Sequence, residues 1–143
     1  KGVNKNKILL RKIEEYKLNK YLKLFGSKEK INEIMNIIDI GVLSSFSESF
    51  PNVLTELMST KIPCISTNQG ESRNIIGKTG WIFKTGDSKN LSFKINKAIK
   101  EFNNKKVWNI RKINARRRVQ KLFTNKIMID HYKNLWNNKS YVK

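Results

Sequence analysis

The chain has 143 residues, 38% of them apolar, which is enough for a single core that buries roughly two-thirds of the surface of its unfolded chain. That composition excludes collagen, a disulfide scaffold and wholesale disorder. Thirty Lys and Arg against 11 Asp and Glu leave a formal charge of +19, which favours anionic partners (nucleic acid, acidic lipid surfaces or phosphorylated ligands) without choosing among them.

Taken in order, Lys5 to about Leu18 has the spacing of an amphipathic helix, with Ile8, Leu9, Ile13 and Tyr16 on one face. Tyr21–Phe25 is expected as a short strand stopped by Gly26-Ser27, and Lys28–Ile38 as a helix with an Ile31, Ile34, Met35 and Ile38 stripe. Ile40–Leu43 is a near-continuous apolar run, as in a strand buried on both faces. A polar loop, Ser44–Phe50, leads to a helix from about Pro51 to Thr60, where proline suits a first turn whose N–H has no partner. Pro63–Thr67 is the next strand, followed by the Asn68-Gln69-Gly70 turn and a short helix, Glu71–Ile76. Trp81–Phe83 is a strand. A helix to Phe102 follows, capped by Asp87 or Ser88. Two more helices, Lys105–Leu122 and about Thr124–Trp136, complete the chain.

Strands alternating with helices predict a parallel sheet joined by right-handed crossovers and flanked by helices, an α/β fold over residues 1–143. Ligands bind such sheets at the carboxyl ends of the strands, which puts Ser44–Phe50 and Thr67–Gly70 on one edge. No apolar run approaches the roughly 20 residues of a membrane span, and no segment has the pattern of a signal peptide. Cys64 is the only cysteine and lies within Ile62-Pro63-Cys64-Ile65, so it reads as a small buried hydrophobe in a reducing compartment. His131 sits in a basic helical stretch and reads as a surface or packing residue. Arg116-Arg117-Arg118 is the densest basic cluster and reads first as a solvated helix face.

Ser44 to Glu56 carries the chemistry. A strand ends, a polar loop bears Glu48, and a helix starting near Pro51 bears Glu56 on its second turn. A helix N-terminus offers free N–H groups and partial positive charge to a phosphate, worth about 0.3–1 kcal/mol when exposed. Ionised carboxylates only accept hydrogen bonds, so they suit hydroxyl groups. Acids flanking a phosphate-binding helix end therefore match sugar, diphosphate and ribose laid out in that order. On spacing alone, Glu48 as a loop acid and Glu56 as an exposed helix residue is the commoner outcome.

The run Glu48-Ser-Phe-Pro-Asn-Val-Leu-Thr-Glu56-Leu-Met resembles the E-x7-E motif of retaining glycosyltransferases of family 4. The likeness continues in order through Leu24-Phe25-Gly26, Ile38–Ser45, Ile62–Asn68, Gly70–Ile76, Thr79–Phe83 and Gly86-Asp87, covering about Lys20 to Phe102. It implies the carboxyl-terminal, Rossmann-like lobe of a GT-B enzyme, binding a nucleotide-diphosphate sugar with no metal and no other cofactor. Glu48 then holds donor-sugar hydroxyls and is the candidate catalytic residue, and Glu56 holds the ribose. Backbone around Ser49, Phe50, Pro51, Asn52 and Val53 approaches sugar and diphosphate, with Asn68 and Gly70 close by. Leaving-group stabilisation at the phosphates carries much of the chemistry.

Ser49, Leu57 and Lys61 depart from the family's usual glycine, alanine and glycine. Lys1-Gly2 resembles the tail of the loop after the lobe's first strand. That strand, the family's diphosphate-neutralising basic pair and the amino-terminal acceptor lobe are then expected outside these residues, with this chain inactive as an isolated fragment. The expected place of work is the cytoplasm, and the basic surface is expected to be able to rest peripherally on anionic membrane. Two rival readings are a basic nucleic-acid-binding module, for which no helix-turn-helix, zinc-finger or RNA-recognition signature is present, and a GT-B nucleotide-sugar epimerase. Gly70 is expected to serve backbone geometry, and Glu71 either to cap its helix or to touch the ligand.

Overall fold

The computed structural model describes residues 3–29 and 31–137, which fall into two compact units, one up to Asn36 and one from Ile37. In the first unit a single 3-10 turn, Val3–Lys5, precedes helix α1, Lys7–Glu15, whose N-terminus is closed by the Asn6 side chain accepting from the Leu9 N–H at 3.1 Å. Helix α1 is shorter than its apolar spacing predicts because Lys17 turns left-handed at φ 53°. The Lys17 and Leu18 N–H groups then return to the Glu14 and Ile13 carbonyls at 2.9 and 2.8 Å, a helix stop of the Schellman type.

Tyr21–Phe25 is not a strand. The Tyr21 and Leu22 N–H groups fold back onto the Leu18 carbonyl, and Tyr21 is 85% exposed. An apolar run makes a strand only where a neighbour completes its ladder, and among the described residues none does. Helix α2 is likewise reduced to Ile31–Met35.

The second unit is a parallel sheet of three strands, β1 Gly41–Leu43, β2 Cys64–Thr67 and β3 Trp81–Phe83, in that spatial order. Gly41 pairs with Cys64, and Ile65 with Trp81. The connections are α3, Asn52–Ser59, and α4, Ser72–Ile76; α5, Ser88–Phe102, α6, Lys105–Leu122, and α7, Asn125–Asn137, follow β3. The α/β class expected from the sequence is what the chain adopts.

All four residues of β2 are buried, as a central strand requires. Strand β1 is not covered on both faces, because Val42 is half-exposed; among the described residues it is an outer strand of the sheet. Beneath α3 the fit is tight enough that a Cβ on Gly41 would sit 2.7 Å from the Leu57 Cδ1 and 3.0 Å from the Cys64 Sγ. A second cluster gathers Ile65, Trp81, Phe83, Ala98 and Trp108, with Leu91 and Ile95 of α5 packed against it. There Trp81 and Trp108 stack at 6.5 Å, and Arg111 lies 4.4 Å over the Trp81 ring while pairing with Glu101. No helix among the described residues is long and apolar enough to cross a membrane.

Candidate functional site

Strand β1 ends at Leu43, and the chain reaches α3 through the loop bearing Glu48. Pro51 takes the cap position rather than the first helical one: its backbone is extended, and its carbonyl accepts the Leu54 N–H at 3.0 Å. Proline has no side-chain acceptor, so the helix entry has no side-chain cap, and the Asn52 and Val53 N–H groups have no partner among the described residues. Leu54, Leu57 and Met58 turn inward, which leaves Asn52, Val53 and Glu56 along the exposed face.

The loop before α3 is held by the turn after β2. The Thr67 hydroxyl donates to the Ser45 carbonyl at 2.8 Å, and the Glu71 N–H donates to the Ser49 carbonyl at 2.9 Å. Gly70 passes so close that a Cβ there would collide with the Glu48 and Ser49 carbonyl oxygens, and its φ of +47° is left-handed besides. The two loops expected on one edge are therefore in direct contact. The sequence places Thr67 at this edge only as the start of the Thr67–Gly70 loop; a hydroxyl at the carboxyl end of a buried strand is the signal that it ties the two loops.

Glu48 is half-buried and Glu56 is exposed. Neither carboxylate has a hydrogen-bond or ion-pair partner among the described residues, in a chain with 30 cationic side chains. Phe50 and Asn52 face elsewhere. With Phe123, which touches Phe50 at 6.1 Å between ring centroids, and with His131 and Tyr132 of α7, they line an open groove of about 630 Å³. Glu48, Ser49 and Gly70 are not part of that groove. Asn68 lines a separate cleft of about 400 Å³ beyond β3. The predicted residues thus form one stitched edge, with Glu48, Ser49 and Gly70 brought together and Asn68 turned toward β3.

Glu71 takes the cap position of α4, but its side chain makes no capping bond to the backbone; its carboxylate accepts from the Asn74 amide at 2.9 Å instead. Cys64 is buried, and burial alone pushes its thiol up to about 12, which removes the thiolate a nucleophile would need. His131 is exposed on α7. Among the described residues no three His, Cys, Asp or Glu side chains converge as metal ligands.

The profile of the family described as "Glycosyl transferases group 1" matches residues 2–118. The chain is 35% identical over 65 residues to N-acetyl-alpha-D-glucosaminyl L-malate synthase of Bacillus anthracis, covering 44% of this chain and 17% of that protein. It is 30% identical over 104 residues to the capsular polysaccharide biosynthesis glycosyltransferase CapM of Staphylococcus aureus, covering 71% and 27%. Among solved structures, Anabaena Alr3699/HepE in complex with UDP superimposes with a TM-score of 0.79 at 24% identity, over 92% of this chain and 36% of that one. The sheet and its flanking helices are thus those of a GT-B glycosyltransferase. The chain spans about a sixth to a third of the length of these relatives.

Proposed function

The chain belongs to the glycosyl transferases group 1 family, and from that premise we propose that it supplies the nucleotide-sugar-binding half of a retaining enzyme of family 4. The observation that carries the reading is the open entry of α3, its first amides unpartnered, with the unpaired carboxylates of Glu48 before it and Glu56 along its exposed face. The diphosphate lies against the Asn52 and Val53 amides, where the helix dipole offsets its charge. Glu48 holds sugar hydroxyls and Glu56 the ribose. Stabilising the departing nucleoside diphosphate is the main catalytic contribution of this half. UDP in the HepE structure supports the ligand class.

In this reading a second lobe holds the acceptor, and the family's basic diphosphate pair belongs to the start of this same lobe and is not found among these 143 residues. Transfer takes place in the cytoplasm, needs no metal, and builds a glycan of the cell-envelope kind named for the capsular relative. Titrating the chain with a panel of uridine and guanosine diphosphate sugars tests it. Saturable binding of one donor is expected. Indifference to all of them, together with steeply salt-dependent binding to any DNA, would instead favour the nucleic-acid reading.

A further inference from the structure

The cleft beyond β3 has a hydrogen-bonding pattern that the donor reading does not use. Its walls are Asn68 at the end of β2, Arg73 of α4, Ile82, Phe83, Lys84 and Thr85 in and after β3, and Asn90 in the first turn of α5. Around this cleft the protein consumes acceptors and leaves donors. The Asn68 side-chain oxygen accepts from the Arg73 Nε at 2.9 Å, and the Asn90 side-chain oxygen accepts from the Lys84 N–H at 3.4 Å. Because each partner is an obligate donor, both amides must turn their NH₂ groups the other way. The Thr85 hydroxyl accepts from the Gln69 amide at 2.8 Å. The Phe83 carbonyl is taken by the Asn68 N–H, and the Lys84 carbonyl by the Asp87 N–H.

The side-chain groups that remain to meet a ligand are donors: the two terminal nitrogens of Arg73, the Lys84 ammonium and the two free amide NH₂ groups. Among the described residues Arg73 has no bond beyond the one from its Nε, and Lys84 has no carboxylate partner. No Asp or Glu lines the cleft. The nearest acids in sequence are both engaged: Asp87 accepts the Asn90 N–H at 2.8 Å as the cap of α5, and Glu71 accepts from the Asn74 amide at 2.9 Å. The Asn68 contact also aims the guanidinium, so less freedom is lost when its fork closes on an oxyanion.

The geometry points to a site here for a phosphate-type oxyanion, a phosphomonoester or inorganic phosphate, held by Arg73 and Lys84 with Asn68 and Asn90 completing the donor set. It shares only Asn68 with the donor reading and does not depend on it. The same headgroup chemistry can arrive on a soluble metabolite or on a lipid.

The test is a ¹⁵N NMR titration of the 143-residue chain with inorganic phosphate, sodium chloride being adjusted to hold ionic strength constant. That constraint matters because a charge of +19 attracts any anion weakly. Saturable shifts confined to Asn68, the Arg73 Nε, Thr85 and Asn90 are expected. Arg73→Gln and Lys84→Gln should each weaken binding about ten-fold or more, since each removes a charge-assisted bond. Lys97→Gln, on the exposed face of α5, should leave it unchanged. Shifts that do not saturate, that spread evenly over the lysines, or that centre on Asn52 and Val53 overturn the site. So does either cleft variant titrating like the parent. Glycerol 3-phosphate and vesicles containing phosphatidate then separate the sources: binding to either supports the site and names where its phosphate comes from, and binding to neither overturns the phosphomonoester assignment.

Discussion

The Glu71 N–H donates to the Ser49 carbonyl at 2.9 Å, joining two loops that are 22 residues apart in the chain. With the Thr67–Ser45 bond at 2.8 Å it makes the approach to α3 and the exit from β2 a single body. The position of the α3 entry is therefore set by a turn that contributes no acidic group to the proposed donor site, and changes in that turn should be felt at the helix tip.

Gly70→Ala tests that dependence. A left-handed non-glycine residue costs about 1–2 kcal/mol, and here the added Cβ also meets the Glu48 and Ser49 carbonyls, which belong to backbone and cannot swing aside. A loss of at least about 2 kcal/mol in denaturant unfolding is expected, with donor binding weakened beyond what unfolding explains. A variant as stable as the parent would mean that the loops are not held this closely.

Lys61→Gly should work in the opposite direction. Lys61 has φ of +66°, and the N–H groups of Lys61 and Ile62 return to the Met58 and Leu57 carbonyls at 3.1 and 3.0 Å, so it occupies the left-handed position that ends α3. Glycine has no Cβ penalty there, although it is the looser residue when unfolded. A net gain of about 0.5–1 kcal/mol is expected in chemical denaturation. The same geometry accounts for the glycine that the family resemblance expects at this point.

How much could be read in advance divides along physical lines. Strands β2 and β3, the Asp87 cap and the extent of α6 follow from patterns within a few residues of each element, and the sequence carries them plainly. Tyr21–Phe25 has the composition of a strand but not its partner, which no local pattern reports. Lys61 turns left-handed despite having a Cβ because its own N–H and that of Ile62 are tied back, again a three-dimensional fact. In the candidate site, the acids and the helix start were legible. The stitch through Thr67 and the pairing of Arg73 with Lys84 across a cleft were not, because those residues belong to separate elements.

The arginine triplet separates in the same way. Arg118 is three residues beyond the buried Ala115 and so turns toward the core side of α6. It donates from Nε to the Ile75 carbonyl at 2.9 Å and from an Nη to the Asn74 carbonyl at 2.6 Å, closing the carboxyl end of α4 where a cation suits the helix dipole. Arg116 and Arg117 are exposed. Arg118→Met keeps the stem but loses both bonds, and should cost about 1.5–3 kcal/mol. Arg117→Met should stay within about 0.5 kcal/mol of the parent. Equal costs in urea unfolding would refute the distinction.

Cys64 sets an alkaline limit. Its thiol is held up to about 12 by burial, against an ordinary value of 9.0. Below pH ~9 the group is protonated in both states and makes no difference to the slope. Between about 9 and 12 the unfolded chain releases the proton and the folded one keeps it, so stability falls as pH rises. Relative to Cys64→Ala, the parent should lose stability more steeply across that window. Alkylation at pH 8 should be slow in the native protein and rapid in denaturant, and rapid native labelling would contradict the burial.

Glu48 and Glu56 should part company when the ligand is shortened. If Glu48 meets only the sugar, Glu48→Ala lowers affinity for the nucleotide sugar by roughly 10- to 100-fold, the worth of charge-assisted bonds of about 1.5–3 kcal/mol, while leaving the bare nucleoside diphosphate unaffected. If Glu56 meets the ribose, Glu56→Ala weakens both ligands by the same factor. Both side chains are free of ion pairs among the described residues, so neither change disturbs a folded-state partner, and a loss of binding reports on the ligand rather than on the scaffold. Calorimetric titration of each variant with both ligands reads the pattern directly. A Glu48→Ala chain that loses the diphosphate and the sugar nucleotide equally would put Glu48 at the phosphates or ribose, and the proposed order of contacts along α3 would have to be reversed.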